Sequence, residues 1–160
     1  MTRTAYAALT MTPGEWRLRL AQLCQESANA ACGQEDAYLR LGHGLLASLP
    51  AASHPLSAHL PPLARFEALL AAGAHDSAAM ALVPEGGSYM VSRACEGGSM
   101  ATVMLPGMDE EVTIQAHSPA LALISALAAA LASRASAWPA MGTNDVTGEM
   151  WARPEGVMLH

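Results

Sequence analysis

The stretch HDSAAMALVPEGGSYMVSRACEGGSMATVMLPGMDEEVTIQAHSPALALISALAAALASR, residues 75–134, decides the fold. It opens on Asp76-Ser-Ala-Ala-Met-Ala-Leu-Val, which favours a helix and is stopped by Pro84, whose ring clashes with the preceding turn and whose nitrogen has no hydrogen to donate. A turn at Glu85-Gly86-Gly87 leads into a strand over 88–95, rich in Tyr, Val and Met. That strand breaks at Glu96-Gly97-Gly98, where glycine can take the positive φ of a tight hairpin. A second strand over 100–105 breaks at Pro106-Gly107-Met108-Asp109. The third run alternates, with Val112, Ile114 and Ala116 on one face and Glu111, Thr113 and Gln115 on the other, so one face is buried and one is wet. Ser118 then stands as N-cap before Pro119, which is tolerated at the first helical position because its missing donor would be unpaired there. The helix reaches about Arg134, with Leu123, Leu127 and Leu131 four apart and Leu121 and Ile124 beside them, a stripe wide enough to lie on the sheet. Val112, Ile114, Leu123, Leu127 and Leu131 are expected to share one core.

The run Asp76-Ser-Ala-Ala-Met-Ala-Leu-Val-Pro-Glu-Gly, followed by a small strand meander and by Ser118-Pro-Ala-Leu-Ala-Leu-Ile-Ser-Ala-Leu-Ala, resembles the phage ABA sandwich domain of small phage and prophage proteins. The resemblance covers residues 75–134 of the 160. It implies a helix, sheet, helix sandwich and a phage or prophage origin, and it brings no catalytic residues with it. Where the family's first strand commonly has tryptophan, this chain has Tyr89.

Composition restricts the class of function. Lysine is absent, so all 8 basic residues are arginine, and the net charge is −6. The acidic excess falls after residue 75, and no cluster of cations offers a phosphate backbone its counter-charge, so direct nucleic-acid binding is not expected. An acidic surface suits a basic partner. The longest apolar run, in the last predicted helix, is about fourteen residues and too short to span a bilayer, so no membrane role is expected. The opening Met1-Thr-Arg-Thr leads into only a few apolar residues, unlike a secretory leader, and the three cysteines Cys24, Cys32 and Cys95 are an odd number. Both point to the reducing cytoplasm of a bacterial host cell.

Upstream, Thr12-Pro13-Gly14-Glu15 has the capping-box pattern and predicts a first helix with Trp16, Leu20, Leu23 and Cys24 on one face, fading at 29–33. A second helix fits 34–48, its face formed by Tyr38, Leu41, Leu45 and Leu49, although Gly42 and Gly44 each weaken it by about 1 kcal/mol. Together they suggest an αα-hairpin. Residues 50–62 hold four prolines and read as a connector. Pro61-Pro62 starts a third helix with Leu63, Phe66, Leu69 and Leu70 apolar and Gly73 as its stop. The expected class is α+β: a three-stranded antiparallel sheet sandwiched by helices, with an N-terminal helical hairpin. The expected organisation is a helical part and connector over 1–60, the helix, meander and helix over 61–134, and a tail over 135–160.

Chemistry-bearing residues are scattered. His54 and His59, with Cys24, Cys32 or His43, do not have the paired two- to four-residue separations of structural zinc motifs, so no metal is expected. Cys24 and Cys32, eight apart, are not expected to form a disulfide. Asp109-Glu110-Glu111 is the densest acidic cluster, and its place in a hairpin turn reads as solvated rather than catalytic. Glu96-Gly97-Gly98-Ser99 lacks the lysine of a phosphate loop and lies between strands. No catalytic residue and no cofactor are expected. In the tail, Trp138, Met141, Met150 and Trp151 stand among glycines, prolines and polar residues, richer in such groups than a solvating tail. They are the candidate interaction residues, folded back on the chain or docked on another subunit or partner. The function expected is that of a non-enzymatic phage or prophage accessory protein acting by protein-protein contact, on a host or phage protein of unknown identity. The alternatives are a self-associating virion or assembly component and a small enzyme. An open sheet with two edges and no lysine to guard them makes a homodimer the simplest closed assembly.

Overall fold

The structure, a computed structural model, describes residues 11–49 and 59–136. Five helices and three strands follow in the order α1 (Pro13–Ala28), α2 (Glu35–Ala47), α3 (Leu63–Ala71), α4 (His75–Ala81), β1 (Ser88–Arg93), β2 (Ser99–Met104), β3 (Val112–Ala116) and α5 (Pro119–Ser136). The α+β class, the antiparallel three-stranded sheet and the N-terminal pair of helices are those the sequence predicts. Strand bounds move by one or two residues, and the sheet order is β1-β2-β3.

Local chemistry explains where each element starts and stops. At α1 the capping box is complete: Thr12 Oγ1 accepts from Glu15 N–H, and Glu15 Oε2 accepts from Thr12 N–H at 2.9 Å. After α3, Gly73 sits at φ 69°, Gly73 N–H reaches Leu70 O and Ala74 N–H reaches Leu69 O, each at 2.9 Å. This double closure is the Schellman motif, and it needs a residue without a Cβ at that φ. The β1–β2 hairpin closes with Ala94 N–H to Gly98 O at 2.8 Å and Gly97 N–H to Ala94 O at 3.4 Å, with Gly97 at φ 87°. That is a three-residue loop carrying its bulge at the glycine.

The helices gather around α5 more than around the sheet. From Ala120 to Ala128 every residue of α5 is buried, and Ala130 and Leu131 are buried as well. The helix lies with one side on the sheet and the other against α1, α2 and α4. A helix apolar all round belongs in the middle of a fold, and the leucine stripe read from sequence is only part of its buried surface. The small residues admit close neighbours: Ser27 Oγ and Ser125 Oγ meet at 2.6 Å, one hydroxyl donating to the other, with the carbonyls Leu23 O and Leu121 O of their own helices within 2.7 Å of them. Gly42 plays the same role for α2, because a Cβ there would stand 2.5 Å from Ile124 Cδ1. The glycine that weakens α2 as an isolated helix is what lets α2 seat on α5.

Leu123, Leu127 and Leu131 are buried as expected, while Val112 and Ile114 are half-buried and pack against the same core. One hydrophobic core runs from Trp16 and Leu20 through Leu39, Phe66 and Leu82 to Val103 and Leu131, joining the N-terminal helices to the meander and α5. Two apolar positions differ from the reading. Leu41 is 52% exposed and Leu63 is 59% exposed. In α2 the inward face is Leu39, Gly42, His43, Leu45 and Leu46, turned from the expected stripe because Gly42 is the contact point. The indole of Trp16 donates to Leu45 O at 2.8 Å, pinning α1 to the end of α2.

The layering also has a finer feature. The face of the sheet opposite α5 carries Met90, Met100 and Met104, with Met90 62% and Met104 40% exposed. Among the described residues no helix covers it; the second helical layer lies beyond α5 instead.

Candidate functional site

Among the described residues, Glu35, His75, Asp76, Ser77, Arg93 and Ser118 line one cavity of about 290 Å³. Cys24 is half-buried, its thiol pushed up by burial, and Cys32 and Cys95 are exposed and free. Cys32 Sγ donates to His117 O at 3.7 Å. His59 pairs with Glu85 at 2.6 Å, His43 donates to Pro61 O at 3.0 Å beside the ring of Phe66, and His75 donates to Asp36 at 2.7 Å. Asp109, Glu110 and Glu111 are all exposed. No group of three or more His, Cys, Asp or Glu stands close enough to hold a metal ion among the described residues. His54 and the candidate interaction residues Trp138, Met141, Met150 and Trp151 lie outside the described residues.

The titratable groups that do meet act as clasps between helices. Glu35, at the first turn of α2, accepts Gly33 N–H at 2.6 Å. Burial pushes its carboxyl up, but its own backbone N–H, the Ser118 hydroxyl, Gly33 N–H and the nearby His75 outweigh that and hold it below the ordinary value. Asp36 holds both His75 and Arg40, and Arg40 grips Glu67 through Nε and Nη2 at 2.8 to 3.1 Å. The Glu67 bond raises the guanidinium's affinity for its proton, and the Arg40 bond lowers that of the carboxyl. These links tie α2 to α3 and α4.

What remains open is strand β1. It pairs with β2 over all six of its residues, from Ser88↔Met104 to Arg93↔Ser99, and no strand among the described residues lies on its other side. Five of the six are exposed and Val91 is half-buried. Tyr89 is 43% exposed and stands on the α5 side, in register with buried Val103. Two grooves flank the strand. One, of about 330 Å³, lies on the helix side between Met80 of α4, Val91, Leu123 and Pro119, with Asp76 and Arg93 at its margin. The other, of about 300 Å³, lies along the opposite face between Tyr89, Met90, Thr102 and Met104, with Glu111 beside it. An open strand with apolar grooves on both sides is the geometry in which an extended peptide adds to a sheet: main-chain bonds supply affinity, and alternate side chains drop into alternate grooves.

The meander read from sequence makes β1 one edge of an open sheet, and the order β1-β2-β3 agrees. Between Ser88 and Ser92 there is no charge, proline or bulge of the kind that guards an edge. No helix among the described residues is long and apolar enough to cross a membrane. Comparison with protein-family models, with curated proteins and with solved structures finds no match.

Proposed function

We propose that this chain is a non-enzymatic protein that acts by protein-protein contact, accepting an extended strand of its partner along β1. The observation that carries this reading is the open edge Ser88–Arg93 with an apolar groove on each side. The use of Asp36, His75, Arg40 and Glu67 as clasps between helices supports a binding role over catalysis. The further reading as a phage or prophage accessory protein, working in the cytoplasm of a bacterial host on a host or phage protein, rests on the resemblance of residues 75–134 to the phage ABA sandwich domain. A self-associating virion or assembly component is the second reading, favoured by the same edge, because Ser88–Ser92 carries no charge that would repel its own copy. Trp138 and Trp151 would add contacts on either partner.

Val91→Pro tests the edge, since proline cannot donate to an added strand. The expected result is that proteins retained from host lysate by the wild-type chain are lost by this variant, with the helical circular dichroism of both unchanged. An identical retained set would overturn the edge as the docking site.

A further inference from the structure

We infer that a second copy of this chain occupies the β1 edge, the two β1 strands pairing antiparallel across a two-fold axis to make one continuous sheet. This rests on the reading of β1 as a docking strand and names its occupant.

The backbone of β1 is self-complementary. Ala94 N–H bonds Gly98 O at the hairpin, and in an antiparallel ladder hydrogen-bonded pairs alternate with non-bonded ones. Counting back two at a time, Ser92, Met90 and Ser88 turn their backbone groups to β2, while Tyr89, Val91 and Arg93 turn theirs to the open side. Opposed residues in an antiparallel pair share a face of the sheet. With Met90 on the axis, Tyr89 therefore stands opposite Val91 of the second copy, both with outward backbone groups, and Ser88 stands opposite Ser92. The 62% exposed Met90 meets its own symmetry mate on the uncovered face. On the helix side, each Tyr89 ring faces the Val91 groove of the other copy.

Charge selects this meeting place. Two chains of net charge −6 repel over most orientations, but Ser88–Ser92 carries no charge in either copy. At each end of the paired stretch stands Arg93, which makes no ion pair among the described residues. In this register it lies level with Gly87 of the second copy, beside the turn that carries Glu85, whose side chain is 71% exposed and is paired with His59 of its own chain at 2.6 Å. The contact thus sets each Arg93 beside the other copy's Glu85–His59 pair, twice over by the axis, the isologous arrangement of a closed dimer.

The test is sedimentation of the full chain with two variants that leave the core alone. Wild type should run as a dimer of the 16.6 kDa chain. Met90→Glu sets two carboxylates face to face and should weaken the dimer by about tenfold or more, since like charges directly opposite destabilise a strand pair. Met90→Cys, in a background with Cys32 and Cys95 replaced by serine, should give a cross-linked dimer on mild oxidation, because non-hydrogen-bonded antiparallel partners bring Cα atoms to about 4.5 Å, within disulfide reach. A wild-type monomer, or a dimer indifferent to Met90→Glu and not cross-linked through Met90→Cys, overturns the inference. If the wild type is monomeric and Met90→Glu still abolishes lysate binding, self-pairing falls while strand docking of a different protein stands. If neither assembly nor lysate binding responds, the edge is removed from both readings.

Discussion

Two glycines two residues apart in α2 should respond to alanine with opposite signs. Both gain about 1 kcal/mol of helix propensity on Gly→Ala, because alanine loses less backbone freedom on folding. At Gly44 nothing stands within 4 Å of the new Cβ, so the gain is realised and stability should rise by about 0.5–1 kcal/mol. At Gly42 the new Cβ would lie 2.5 Å from Ile124 Cδ1, 3.2 Å from Ile124 Cγ1 and 3.5 Å from Leu82 Cδ1. Ile124 is 2% exposed, and its β-branched side chain has one strongly preferred χ1 in a helix, so only Cδ1 can swing, and it swings into packed neighbours. Overpacking of this kind costs about 1–3 kcal/mol, which outweighs the propensity gain and leaves a net loss of about 1 kcal/mol. Urea denaturation of the two variants against wild type reads the difference directly, and in melting each kcal/mol is about 2–4 °C at this chain length. Ile124→Val removes the clashing methyl for about 0.5–1.5 kcal/mol, and in that background Gly42→Ala should turn stabilising. Equal stabilisation by Gly42→Ala and Gly44→Ala would refute the close seating of α2 on α5.

Leu127→Ala should cost about 2–5 kcal/mol in chemical denaturation, since Leu127 is 1% exposed within the central helix; a loss under about 0.5 kcal/mol would mean α5 is not enclosed. Glu35 titrates below its ordinary 4.5 in the folded chain, so its contribution is fully present above that pH and is lost as the pH falls through the folded value. Glu35→Gln should accordingly flatten the acid limb of a stability-against-pH curve, and an unchanged limb would count against the clasp. Chelation should leave the melting temperature unchanged and elemental analysis should show no stoichiometric zinc, whereas one zinc per chain would reverse the metal-free reading.

The elements that declare themselves in sequence do so through local chemistry. Thr12 with Glu15, Pro119 after Ser118, and Gly73 after Leu70 mark helix ends by satisfying backbone groups within a few residues, and each is found in that role. The alternation of Val112, Thr113, Ile114 and Gln115 likewise reports a one-sided strand. What stays hidden is set by contacts distant in sequence. Alanines 122, 126 and 130 look neutral and are fully buried, because their small size lets other helices approach α5 from every side. Leu41 looks like a core residue, yet Gly42 beside it makes the contact. The edge itself is legible as the first strand of a meander, while the exposure of Tyr89 and Met90 along it depends on which surfaces the helices leave uncovered.

The enclosure of α5 sets the order in which this chain can acquire structure during synthesis. Every other described element precedes α5, and the surface that α1 must cover, down to the Ser27–Ser125 contact, is translated almost a hundred residues after α1 itself. At about 5–20 residues per second, Trp16, Leu20 and Leu23 wait several seconds outside the ribosome before their binding surface exists. Helix pairs formed in that interval have no centre to close upon. Closure of the core is therefore a late event, completed when the last described helix inserts among elements already synthesised.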